Sequence, residues 1–165
     1  MIDHSIFIVG AAGEGIQTIG NVVSRALLLQ GLPVFAFREY ESRIRGGDSS
    51  VRIRVSDPSR NAPRDDADIL VATNPRAAKA YGQTLTGDGL AVGEGAEGEG
   101  AIPLSFKELA SEHGGDELYA NVAAAGALCA LIGVPLSALE TTVRSSFARY
   151  GDQAVDNNLA RARAG

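Results

Sequence analysis

Tryptophan is absent from this 165-residue chain, and cysteine occurs once. The single thiol, Cys129, forms no internal disulfide and cannot by itself hold an iron–sulfur cluster, which usually takes four thiolates. Only two histidines are present, and neither His4 nor His113 is flanked like a catalytic base. Aromatic residues make up 5% of the chain, so the core must be built from Ala, Val, Ile and Leu. Long hydrophobic runs are missing too. The longest, "NVAAAGALCALIG" (Asn121 to Gly133), is well short of the ~20 residues that cross a bilayer. The N-terminal "MIDHSIFIVG" has no basic stretch ahead of its apolar run and is not expected to be a secretory signal. A cytoplasmic protein with no membrane partner is expected. An excess of positive charge is also lacking: the net charge of −5 argues against nonspecific nucleic-acid binding. A local anion site remains open, because thirteen of the fifteen basic residues are arginine and several crowd together.

What is present is ordinary for a folded domain, with 45% apolar and 21% charged residues at a length suited to one core. Residues 1–165 are read as one domain. "SIFIVG" reads as a buried parallel strand running into the turn "AAGEG". Ile16, Ile19, Val22, Val23, Ala26 and Leu27 then recur at helical spacing until Gly31 and Pro33. "PVFAF" and "SSVRIRVS" read as strands two and three; in the latter Val51, Ile53 and Val55 face one side and Arg52 and Arg54 a solvated or interface-facing other side. "ADILVATN" and "GLAVGEG" give strands four and five, separated by a helix in "PRAAKAYGQTL". "GEGAEGEG" reads as a mobile acidic surface loop, and Ser105 with Glu108 forms a capping-box pattern. Asn121 is placed as a helix cap, and Pro135 to Arg149 and Asp156 to Ala164 as two further helices. Alternation of strands and helices predicts an α/β domain, Rossmann-like and three-layered, with a mostly parallel sheet and helices on both faces.

Two segments carry candidate chemistry. The turn "GAAGEG" (Gly10, Gly13, Gly15) sits where a dinucleotide fold places its phosphate loop, and glycines there let backbone N–H groups approach an anion. Its spacing departs from G-x-G-x-x-G, since Ala12 stands at the middle position and Gly13 follows. A stand-alone NAD(P)-binding protein is therefore one reading, and a tight turn that only lets helix pack on sheet is another. Glu14 is awkward for a pyrophosphate and is read as a carboxylate on the helix dipole. The second segment, "EYESRIRGG", places Tyr40, Ser42, Arg43 and Arg45 before the pair Gly46-Gly47. Guanidinium forks bind phosphate bidentately, and a glycine pair exposes N–H groups to the same anion. The alternative is that these arginines pair with Glu39, Glu41 and Asp48 or with an acidic partner.

Taken together, "IVGAAGEGIQTIGNVVSRALLLQG", "REYESRIRGGDSSVRIRVSD", "ADILVATN" and "NVAAAGALCALIG" resemble the gamma subunit or domain of the 2-oxoacid:ferredoxin oxidoreductases of the pyruvate and 2-oxoglutarate types. Ala12 and Glu14 depart from the glycine and glutamine common there. The resemblance implies a noncatalytic part of a multisubunit enzyme that converts a 2-oxoacid and coenzyme A to acyl-CoA and carbon dioxide, with electrons passing to ferredoxin. Thiamine diphosphate and iron–sulfur clusters would sit on alpha, beta and, where present, delta partners, and the isolated chain would be inactive. Gly10, Gly13, Gly15, Tyr40, Ser42, Arg43, Arg45, Gly46 and Gly47 would meet the anionic half of coenzyme A. An assembly scaffold without a ligand and a homodimer remain as alternatives.

Overall fold

A computed structural model describes residues 2–40, 48–112 and 116–165. Six strands, β1 (Ile2–Ala11), β2 (Val34–Tyr40), β3 (Asp48–Asp57), β4 (Ala67–Ala72), β5 (Leu85–Gly93) and β6 (Ala101–Pro103), form one sheet in the order β2-β3-β1-β4-β5-β6. The helices are α1 (Ile16–Leu29), α2 (Pro75–Tyr81), α3 (Phe106–Ser111), α4 (Ala120–Leu131), α5 (Leu136–Phe147) and α6 (Asp152–Ala164). Three of the five strand pairings are parallel, β1 with β4, β4 with β5 and β5 with β6. The other two, both made by β3, are antiparallel. The sequence offers the cause: only seven residues separate β2 from β3, whereas a parallel crossover needs about a dozen or more. β2 and β1 therefore run the same way on either side of β3, and their carboxyl ends lie on one edge.

The two faces of the sheet are covered differently. Ile6 and Ile8 of β1, Val51, Ile53 and Val55 of β3, Val71 and Val92 point into the main core, which also takes in residues of α1, α3, α4, α5 and α6. Phe7, Val9, Leu70 and Ala72 point to the opposite face, where α2 supplies Ala77 and Ala78. This alternation within β1, buried from Ser5 to Gly10, is what a strand covered on both faces requires.

The small-residue run of α4 packs inside the domain, against α6. A side chain at Gly126 would collide with the backbone carbonyl of Ala162, so the two helices approach at van der Waals distance through backbone atoms. Cys129 is 1% exposed in this core, and burial pushes its thiol up to about 12, as befits a small apolar side chain.

Several expectations are corrected. Arg52 and Arg54 are not solvated; their side chains are 17% and 13% exposed. Arg52 lies over the Phe7 ring at 4.5 Å and meets Glu39 at 2.7 Å. Arg54 donates two hydrogen bonds to Asp3, at 2.7 and 2.8 Å. A polar strand face can be buried when the segment after the strand folds back over it, and Arg54 and Arg52 also donate to the carbonyls of Ala62 and Arg64. The acidic loop after β5 is pinned by Ala96, which is 7% exposed, and feeds β6, a strand too short to show as a pattern. α2 gives way to a 3-10 turn after Tyr81, and α6 begins at Asp152, where Gly151 at φ 91° admits the change of direction. Asn121 does not cap α4: the capping position is Tyr119 and no side chain bonds there. Ser105 does cap α3, accepting from the Glu108 N–H at 3.3 Å.

Candidate functional site

The three glycines lie at the junction of β1 and α1, Gly10 next to last in the strand and Gly13 and Gly15 after it, each for its own reason. Gly13 and Gly15 have φ of 97° and 75°, a left-handed conformation that other residues rarely adopt. Gly10 is needed for space, because a β-carbon there would strike the Thr73 hydroxyl and crowd the Glu14 carboxylate at 2.8 Å. A β-carbon on Gly15 would run into the Asn121 side chain, which places Asn121 at the turn rather than at a cap.

Glu14 does not act as a first-turn carboxylate of α1; it precedes Gly15, which occupies the capping position. Its Oε2 accepts from the Ala11 N–H at 2.7 Å, the Thr73 hydroxyl at 2.6 Å and the Asn74 side-chain amide at 2.7 Å. Asn74 in turn caps α2, accepting from the Ala77 N–H at 2.8 Å. The carboxylate thereby takes up a backbone donor that a phosphate loop would hold out to its ligand. Beside the turn is a cleft of ≈ 250 Å³ whose lining includes Gly13, Glu14, Thr73, Glu94, Lys107 and Asn121. With Glu117 the lining carries three carboxylates against one cation, so this cleft is a poor seat for a phosphate.

The arginine connection starts and ends at the same edge. Tyr40 pairs with Ser49, which pairs with Gly10, and Asp48 pairs with Ala11. Two strand spacings put the Tyr40 backbone about 10 Å from that of Gly10. Asp48 is held by Arg76 of α2 at 2.5 Å. Ser42, Arg43, Arg45, Gly46 and Gly47 lie outside the described residues, as does the Tyr40 side chain. Sequence reasoning missed Thr73, Asn74 and Asn121 as neighbours of the turn. For Asn74 the signal was legible, since Asn-Pro at a strand end is a helix-start pattern, whereas Asn121 arrives through the placement of α4 alone.

Fold and site together define an open α/β domain with a glycine turn at the carboxyl edge of its sheet and an arginine-rich connection rooted on the two adjoining strands, β2 and β3. The family model described as pyruvate ferredoxin/flavodoxin oxidoreductase matches residues 5–165, and the chain belongs to that family. Among curated relatives, the 2-oxoglutarate synthase subunit KorC of Archaeoglobus fulgidus is 27% identical over 143 residues, covering 85% of this chain and 76% of the relative. A 2-oxoacid:ferredoxin oxidoreductase subunit alpha from Sulfolobus is 37% identical over 63 residues, 38% of this chain and 10% of that one. Among solved structures, a 2-oxoglutarate:ferredoxin oxidoreductase from Magnetococcus marinus, with 2-oxoglutarate, coenzyme A and succinyl-CoA bound, aligns with a TM-score of 0.87 at 25% identity. That alignment covers 99% of this chain, which spans 30% of the length of that one. The gamma subunit of a keto/oxoacid ferredoxin oxidoreductase from Geobacter sulfurreducens shares the fold, with a TM-score of 0.74 at 24% identity over 98% of this chain and 99% of that one.

Proposed function

We propose that residues 1–165 act as one gamma-type domain in the assembled enzyme, noncatalytic by itself, and help to hold coenzyme A while a 2-oxoacid is oxidatively decarboxylated. The observation that carries this reading is the strand register, which roots both ends of the Arg43 and Arg45 connection beside the Gly10 to Gly15 turn. Support comes also from the Magnetococcus marinus structure, whose coenzyme A is bound in an enzyme containing a region of this fold. Guanidinium groups would neutralise the phosphates of coenzyme A and the glycine pair would offer N–H donors. The overall change consumes the 2-oxoacid and coenzyme A, releases carbon dioxide and acyl-CoA, and passes two electrons to ferredoxin. The redox centres belong to alpha and beta partners in this reading, since an iron–sulfur cluster does not fit a chain with one buried cysteine.

The test is kinetic and uses the assembled complex. Arg43→Ala with Arg45→Ala should raise the KM for coenzyme A at least tenfold and leave carbon dioxide release without coenzyme A largely intact. An unchanged KM would sink the coenzyme A role and leave assembly as the domain's contribution.

A further inference from the structure

A second hollow, of ≈ 390 Å³, lies between α1 and α5, and its lining includes Thr18, Asn21, Arg25, Ser146, Arg149 and Tyr150. No carboxylate is among its described lining residues. Arg25 reaches across to the Ser146 hydroxyl at 3.4 Å, and Arg38, from the edge strand β2, donates to Asn21 at 2.8 Å. Arg149 covers the Tyr150 ring at 4.6 Å, and Tyr150 is 59% exposed.

In a chain of net charge −5, two arginines here line one hollow with no carboxylate beside them. Arg52, Arg54, Arg60, Arg64, Arg76 and Arg163 each meet a carboxylate. Among the described residues, no ion pair involves Arg25, Arg38, Arg144, Arg149 or Arg161, and of these five Arg25 and Arg149 line the hollow. Cations gathered around a hollow without counter-charge repel one another, and an anion placed among them relieves that repulsion. Guanidinium forks and hydroxyl donors match phosphate oxygens, and an exposed tyrosine ring beside an arginine offers a flat surface for a base.

We propose that this hollow binds a nucleoside phosphate, with the phosphate held by Arg25 and Arg149 and the base laid on Tyr150. Two sources share that chemistry, the nucleotide end of coenzyme A and a free nucleotide. The hollow shares no lining residue with the cleft at the glycine turn and does not depend on the role given to Arg43 and Arg45.

Calorimetric titration of the chain with ADP, adenosine 3′,5′-bisphosphate, inorganic phosphate and coenzyme A tests it. Arg25→Gln with Arg149→Gln should weaken both nucleotides at least tenfold. Tyr150→Ala should weaken the nucleotides severalfold and leave inorganic phosphate unchanged. Amide shifts on adding ADP should centre on Thr18, Arg25 and Ser146. Competition between coenzyme A and ADP would assign the site to the coenzyme, and simultaneous binding to a separate nucleotide. The three substituted residues are exposed, and a thermal melt checks that the variants are folded. Absence of nucleotide binding, unchanged affinity in the double variant, or shifts confined to the glycine turn would overturn the proposal. Loss on changing Arg43 and Arg45 alone would do the same while leaving the coenzyme A role intact.

Discussion

The two faces of the sheet are held by different physics. On the face covered by α1 and α3 to α6, apolar strand residues meet helices, and α4 and α6 touch through backbone atoms at Gly126 and Ala162. On the other face, α2 covers Phe7 and Leu70, and beyond it arginine side chains lie on the sheet stitched to carboxylates and to loop carbonyls. The first face depends on shape and should fail when volume is added. The second depends on charge and hydrogen bonds and should respond to truncation and to pH.

The largest effect is expected on the first face. Gly126→Val places a branched side chain against the Ala162 carbonyl, and should cost ~3 kcal/mol or more, read as a lower denaturation midpoint with unchanged m value. On the second face, Arg52→Leu keeps volume but removes the contact with Phe7 and leaves Glu39 without its cation. It should cost about 1–2 kcal/mol in the same assay. If the two costs were equal, the contrast between shape and charge would be wrong.

The third effect is confined to acid. Hydrogen bonds from Arg54 hold the Asp3 carboxyl below the usual carboxylate range, and those from Arg64 do the same for Asp66. A depressed folded-state pKa contributes stability that is present above the unfolded value of about 4 and is lost as pH falls through the folded value. Melting temperature should therefore begin to fall below about pH 4. Asp3→Asn together with Asp66→Asn should flatten that limb, and an unaltered limb would show that the second face is not titrated through these groups. Smallest of all should be Leu28→Ser on α1, whose side chain is 55% exposed, with a change within about 0.5 kcal/mol.

How much of this was legible in the sequence follows from the same contrast. The apolar periodicities of α1 and β4, and the alternation of Val51, Ile53 and Val55, announced their elements because burial on one face leaves a repeat. The fold class was legible for the same reason. The antiparallel placement of β3 was hidden, since a strand's direction leaves no trace in its residue pattern, only in the length of its connections. Arg52 and Arg54 looked solvated because alternation distinguishes two faces but not what covers them; the cover comes from residues 62–66, distant from any periodic signal. Gly13 and Gly15 were readable as turn residues, whereas the reason for Gly10 depends on Thr73, more than sixty positions away.

One oxygen of Glu14 serves three donors, from β1, from the end of β4 and from the residue that caps α2. α1 and α2 begin on opposite faces of the sheet, yet both starts hang from that atom. A displacement of the turn cannot leave the first residues of α2 where they are without breaking a bond to the carboxylate. The joint therefore behaves as a stiff coupling between the layers, and through Arg76 and Asp48 it continues to the root of the arginine connection. A shift at the root of the arginine connection would therefore be passed to the start of α2 on the far face.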